Sequence, residues 1–253
     1  MLSAGQGSRL LPLTAETPKC LLAIGRMSLI EWQLQSLIAC GIDEVVVVTG
    51  YASERVEQAL TPWRRSDFAI RTVFNPFFNV ADNLASCWLA RHEMGDDFLI
   101  INGDTLFEPD VLKTVLASPP APITITIDRK ACYDSDDMKV QVEGDRLLAV
   151  GKTLSADITN GESIGMLLFR ESGPMLFADI LDQFMHTPEG IKTWYLRAID
   201  RLAKTGAVRA ASIEGRAWGE VDFIEDLERA REMVASWSRH LPGAGGVALA
   251  SGS

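Results

Sequence analysis

Between residues 28 and 40 the apolar side chains fall at Leu29, Trp32, Leu34, Leu37 and Ile38. That spacing gathers them on one face of a helix, and Gly41 is a natural stop. The period then changes: Glu44-Val45-Val46-Val47-Val48-Thr49 is a continuous β-branched run, as expected of a strand covered on both faces of a parallel sheet. The alternation continues with a short helix over 53–60 capped by Ser53, a strand over 70–74, a helix over 83–94 and an apolar strand over 98–101. A helix over 108–117 is closed by Pro119-Pro120.

Beyond residue 118 strands outnumber helices. The segments 123–128, 138–142, 147–150 and 165–169 read as strands joined by turns such as Glu143-Gly144-Asp145. Helices over 173–185 and 193–205, a strand over 208–213 and a closing helix over 224–237 follow. The Gly/Ala/Ser-rich stretch 242–253 predicts a disordered tail. The expected fold is α/β: a Rossmann-like, mixed but mainly parallel central sheet with helices on both faces, and a smaller second sheet. One domain should span 1–236, leaving 237–253 as a tail.

Composition narrows the class. A chain of 253 residues with 47% hydrophobic residues can bury one large α/β core. No apolar stretch approaches the roughly 20 residues that a membrane span needs, and no secretion leader is recognisable, so a cytoplasmic protein is expected. Cys20, Cys40, Cys87 and Cys132 are far apart and show no zinc-ligand spacing, which predicts reduced thiols. A net charge of -10 argues against a nucleic-acid surface. It does not exclude a single nucleotide, which a few converging cations and a metal can hold.

The segment Ser3-Ala4-Gly5-Gln6-Gly7-Ser8-Arg9-Leu10 carries the most chemistry. Two glycines two residues apart let backbone N–H groups turn inward around a phosphate, and Arg9 adds a forked cation. An ordinary tight turn would look the same. Lys19, presented by Pro18, supplies a second cation ten residues on. A dinucleotide-binding loop fits less well, because Arg9 stands where its third glycine belongs and no acidic residue closes the next strand. Asp104 follows the apolar strand in Ile100-Ile101-Asn102-Gly103-Asp104, at the sheet edge where ligands collect, and Asp222 precedes the last helix. Each is equally consistent with a metal ligand and with a turn or helix cap.

Gly5-x-Gly7-x-Arg9-Leu10 followed by Pro18-Lys19 resembles the signature of the sugar-phosphate nucleotidyltransferases, most closely the bacterial choline-phosphate and other small amino-alcohol phosphate cytidylyltransferases. The resemblance runs, with gaps, from Leu2 to about Met233. It implies transfer of a nucleoside monophosphate, CMP from CTP, to a small phosphorylated acceptor with release of pyrophosphate. It also implies Mg²⁺ held by Asp104 and Asp222, with Arg9 and Lys19 as the catalytic cations and Glu220 orienting the metal's surroundings. The nucleotide would lie mainly on residues 1–118, against Leu2, Ala4, Gly5, Gln6, Gly7, Tyr51, Asn83, Ser86 and Gly103. The acceptor and the second metal ligand would come mainly from 119–236, the acceptor meeting Lys139, Lys152, Glu162, Tyr133, Asp137 and Tyr195.

Leu196 stands where that branch carries an acidic residue, so phosphoethanolamine, 2-aminoethylphosphonate and polyol or sugar phosphates stay beside phosphocholine as acceptors. A nucleotide-sensing module of the same fold without turnover, and an NAD oxidoreductase, are the rival classes. The oligomeric state is left open. His92, His186 and His240 have no place in this chemistry and are expected at the surface. The resemblance also implies an apolar strand ahead of the glycine loop. Only Met1-Leu2 precede Ser3, so a short central strand and low stability are expected.

Overall fold

The structure, a computed structural model, describes residues 1–237; the expected tail beyond them, with His240, lies outside the described residues. The chain opens with the glycine segment and a small hairpin, β1 (Ala23–Ile24) and β2 (Met27–Ser28). There follow α1 (Leu29–Ala39), β3 (Glu44–Thr49), α2 (Ser53–Leu60), β4 (Ala69–Phe74), α3 (Asn83–Leu89), β5 (Phe98–Ile101), β6 (Thr105–Phe107) and α4 (Pro109–Leu116). The second half runs β7 (Ile123–Asp128), β8 (Lys139–Glu143), β9 (Arg146–Val150), β10 (Gly161–Phe169), α5 (Gly173–Met185), α6 (Tyr195–Ala203), β11 (Val208–Ser212), β12 (Trp218–Glu220) and α7 (Ile224–Trp237).

Local chemistry explains several boundaries. Ser28 and Glu31 form a reciprocal capping box that starts α1. The helix over 53–60 forms as expected, but Ala52, in the left-handed region at φ 46°, takes the position before it, and Ser53 is already helical. The helix expected over 83–94 ends at Leu89 and continues as a 3₁₀ turn, Arg91–Glu93.

β3 and β4 pair in parallel, and Leu2 bridges in parallel to both Val48 and Asn102, so a single residue links β3 to the strand-end of β5. From β5 the sheet continues β10, β7, β11, β9, β8. β10 is antiparallel to both β5 and β7, whereas β7 and β11 are parallel. The strands expected in a separate second sheet are thus continuous with the central one, and they curl until β8 pairs back onto β10 at Gly161 and Glu162.

All nine residues of β10 are buried. Its side chains alternate between two cores: Leu167 and Phe169 pack with α3, α5 and α6, while Ile164, Met166 and Leu168 pack with α1, α2 and α4. This alternation is the period-two geometry of a strand covered on both faces. A third cluster seats α7 on α1, with Trp237 edge-on to Trp32 at 5.7 Å between ring centroids. Toward the start of β3 and β5 the two strands do not pair, and a cleft of ≈ 780 Å³ separates them, lined in part by Met1, Val46, Phe98 and Leu99. The Met1 nitrogen donates to the Val46 carbonyl at 2.8 Å across its upper end.

Candidate active site

Two very short strands build the site. β6 starts immediately after Asp104 and β12 ends just before Val221-Asp222. Their antiparallel register sets Glu220 opposite Thr105, and the Val221 N–H donates to the Asp104 carbonyl at 3.0 Å. Two aspartates 118 positions apart in sequence therefore reach one point. The pairing was not anticipated from the sequence, because three-residue strands carry too little alternation to stand out.

Lys19 Nζ lies between them, 2.8 Å from Asp104 Oδ2 and 2.8 Å from Asp222 Oδ1. Burial alone would lower its pKa, but the two carboxylates overcome this and raise it well above the usual lysine value. Arg9 approaches from the open side, with Nη2 2.9 Å from Asp222 Oδ2 and its guanidinium 5.0 Å from the Phe223 ring centroid. The four charged residues singled out in the sequence thus share one cleft. Asp222 is itself held by a residue the sequence reading did not single out: Asp226 accepts the backbone N–H groups of Asp222 and Phe223 at 2.9 and 2.7 Å. Glu220 is accessible at the rim, yet enough protein surrounds it to push its carboxyl upward, and Asp104 and Asp222 push it the same way.

The glycine loop closes over this centre. Gly7 sits at φ 79°, and a Cβ there would come within 2.8 Å of Lys19 Cβ, so the loop can cross the lysine only as glycine. The Thr14 hydroxyl and the Gln6 amide tie the loop to itself. A Cβ at Gly5 would meet nothing within 4 Å, which leaves room for a ligand to approach the backbone closely. A cavity of ≈ 180 Å³ opens here, lined by Leu2, Gly5, Gly7, Asn83 and Gly103 together with Lys19 and Asp104.

The remaining residues expected at the nucleotide divide. Ala4 is buried and its carbonyl accepts from the Tyr51 N–H, while the Tyr51 hydroxyl donates to the Ala15 carbonyl and its ring stands edge-on to Phe78. Ser86 is turned inward beneath α3, accepting from Asn75 Nδ2 at 3.0 Å, with 4% of its surface exposed.

On the acceptor side, Lys152 Nζ is 3.3 Å from Asp136 Oδ1 and 5.0 Å from the Trp194 ring centroid. Asp136 also lies 3.5 Å from Arg9, which joins the two halves of the site. Glu162 and Asp137 share Lys130, at 2.9 and 2.7 Å, beside Tyr133. Burial pushes the Glu162 carboxyl up to about 7, opposed by Lys130 and reinforced by Asp137. Two residues expected here lie elsewhere. Lys139 is buried and donates to the Lys152 carbonyl, so it braces the strand pair. Tyr195 is fully buried, and its hydroxyl donates to Asn102 Oδ1 at 3.1 Å. His92 and His186 are exposed, and all four cysteines are free.

Comparison with known proteins decides the class. The nucleotidyl transferase family matches residues 1–130, just over half of the chain. This chain belongs to that family. The chain is 25% identical over 252 aligned residues to the CTP:phosphoglutamine cytidylyltransferase of Campylobacter jejuni, covering 90% of this chain and 96% of that protein. It is 32% identical to the N-acetylmuramate alpha-1-phosphate uridylyltransferase of Neisseria meningitidis, covering 94% and 98%. The inositol-1-phosphate CTP transferase structure from T. maritima superposes with a TM-score of 0.79 at 20% identity, covering 96% of each chain, which shows the shared fold. The chain is therefore a nucleotidyltransferase with the α/β fold of the nucleotide-diphospho-sugar transferases.

Members of this family generally use a divalent metal ion. Among the described residues no group of three or more His, Cys, Asp and Glu forms a metal cage. The two aspartates nevertheless suit Mg²⁺, which takes one or two carboxylates and completes its shell with phosphate oxygens and water. Asp104 Oδ1 is buried and accepts no hydrogen bond, as expected of an oxygen reserved for a cation. Among the described residues no helix is long and apolar enough to cross a membrane.

Proposed function

We propose that this nucleotidyltransferase moves CMP from CTP to a small phosphate or phosphonate acceptor carrying an amine, with phosphocholine, phosphoethanolamine and 2-aminoethylphosphonate as the acceptor set. The convergence of Arg9, Lys19, Asp104 and Asp222 at the glycine loop carries the reading. CTP is the donor of the Campylobacter jejuni relative. The Neisseria meningitidis relative is an N-acetylmuramate alpha-1-phosphate uridylyltransferase, which makes a sugar-1-phosphate uridylyltransferase the second reading.

In the reaction an anionic oxygen of the acceptor attacks the α-phosphorus in line, forming a P–O bond as the bond to the β-phosphate breaks and pyrophosphate departs. That oxygen is already deprotonated, so alignment and charge compensation do most of the work. Asp104 and Asp222 would hold Mg²⁺, whose contribution is to neutralise charge on the phosphates. Lys19 and Arg9 offset the charge growing on the α-phosphoryl group and on pyrophosphate. The backbone at Gly5 and Gly7 wraps the triphosphate, and the 180 Å³ cavity beside Asn83 receives part of the nucleotide. Lys152 meets the acceptor phosphate, and the Asp137–Glu162–Lys130 group faces its distal end. Tyr133 and Trp194 offer aromatic faces to an ammonium there.

The test is pyrophosphate release with each of the four ribonucleoside triphosphates against phosphocholine, phosphoethanolamine, 2-aminoethylphosphonate and a set of sugar 1-phosphates. CTP with an amine-bearing acceptor is expected to give the highest kcat/KM. Turnover confined to UTP and a sugar phosphate establishes the second reading, and nucleotide binding without release points to a sensing module.

A further inference from the structure

The turn Asn102-Gly103-Asp104 is gripped from four sides by groups with no direct part in the chemistry. Gln33, on α1 and 1% exposed, donates from one amide nitrogen to the Asn102 and Thr105 carbonyls, both at 2.8 Å, and so spans the turn. At Gly165 the β10 strand bulges at φ 72°, and a Cβ there would lie 2.5 Å from Asn102 Nδ2, so the bulge makes the space that Asn102 fills. Leu2 accepts the Gly103 N–H at 2.9 Å, and a Cβ on Gly103 would come within 2.4 Å of that carbonyl. The fourth contact is the Tyr195 hydroxyl, which donates to Asn102 Oδ1 from the first turn of α6.

Tyr195 also receives a link from the nucleotide cavity, because its backbone N–H donates to Asn83 Oδ1 and Asn83 lines that cavity. A continuous path therefore runs from Asn83 through Tyr195 and Asn102 to Asp104. Burying a tyrosine hydroxyl is unfavourable unless it is hydrogen-bonded. A phenylalanine would fill the same core without that requirement, yet this hydroxyl lies within reach of the turn that carries the carboxylate. Burial, with Cys87 and Asp104 nearby, keeps the phenol protonated far above neutral pH, so it acts as a fixed donor.

We propose that Tyr195 is a positioning residue: through Asn102 it sets the Asp104 carboxylate for the divalent cation and links that setting to the nucleotide cavity through Asn83. The inference rests on the nucleotidyl-transfer reading of the site. Outer partners of metal-binding groups typically change affinity by about 10–100-fold when removed.

The test compares wild type, Tyr195→Phe, Asn102→Ala and the double variant by three measurements: Mn²⁺ affinity from proton relaxation enhancement with the unreactive α,β-methylene analogue of CTP, steady-state kinetics, and thermal melting. Tyr195→Phe is expected to weaken Mn²⁺ by about 10-fold and lower kcat while leaving KM for the acceptor unchanged. Asn102→Ala should weaken Mn²⁺ similarly, with the double variant no worse than the single ones. A Tyr195→Phe variant with wild-type Mn²⁺ affinity and a lowered melting temperature would show ordinary core packing and overturn the proposal, as would fully additive effects. Wild-type protein that binds no Mn²⁺ with the analogue would overturn both this inference and the function it rests on. Wild-type binding with an unaltered variant removes the inference alone.

Discussion

Lys19 holds the centre of the site because, among the described residues, it alone is paired with both aspartates, and it can do so because residue 7 has no side chain. Substituting Lys19→Met removes the cation between two carboxylates and a charge that would face the triphosphate. We expect kcat to fall about 10²–10³-fold, the scale seen when one transition-state donor is lost, with the fold retained by circular dichroism. Lys19→Arg should not restore activity, because the planar guanidinium cannot occupy the narrow space under Gly7 in the same way. Unchanged pyrophosphate release in Lys19→Met would remove this residue from the mechanism. At this scale Arg9, Lys19, Asp104 and Asp222 were legible through the motif order that carries the family resemblance, since each aspartate alone reads equally well as a turn or helix cap. Tyr195 was not, because an aromatic at a helix start reads alike as a pocket wall and as core, and only its burial separates the two.

Among the elements, the long periodic ones were legible: β3, β5, β7, α5 and α7 fall where the pattern of apolar positions puts them. β6 and β12 were not, and these three-residue strands bring the two aspartates together. The β10 bulge was equally hidden, because its two extra residues, Ser163 to Leu167 facing only Ile127 to Ile125, leave the alternation of the run in phase. Gly165→Ala tests that bulge. A Cβ at φ 72° is strained and would strike the Asn102 side chain, so a loss of about 1–3 kcal/mol in denaturant unfolding is expected. A fall in kcat should accompany it, because Asn102 moves with the Asp104 turn. Wild-type stability in Gly165→Ala would show that the turn can relax without consequence.

For the whole molecule, the half-buried charge cluster on the acceptor side couples stability to pH. Burial raises Glu162 to about 7 in the folded chain against 4.5 for an unhindered carboxyl. Between those values the folded protein holds more protons than the unfolded chain, so this group makes stability fall as pH rises from about 4.5 to 7 and contributes no further slope above it. The opposing effect of Asp137, whose carboxyl is lowered by Lys130 and backbone donors despite its burial, belongs below pH 4. Urea unfolding at half-unit pH steps should show Glu162→Gln flattening that slope by about 1–3 kcal/mol in total; parallel curves for the two proteins would place the charged form of Glu162 at ease in the fold. The broad α/β architecture was legible at this scale, but the curl that returns β8 to β10 was not, because strand order depends on contacts distant in sequence.

The single-residue join at Leu2 has a mechanical consequence. The β3–β4 pair and the rest of the sheet meet there through a few backbone bonds, and the same short segment leads directly into the loop proposed to wrap the triphosphate. Any parting of the two sides along this seam would pull on Ser3 and Ala4 before it disturbed either core. The grip on phosphate should therefore slacken well before the protein unfolds, and a bound triphosphate, by tightening the loop, would act as a rivet across the seam.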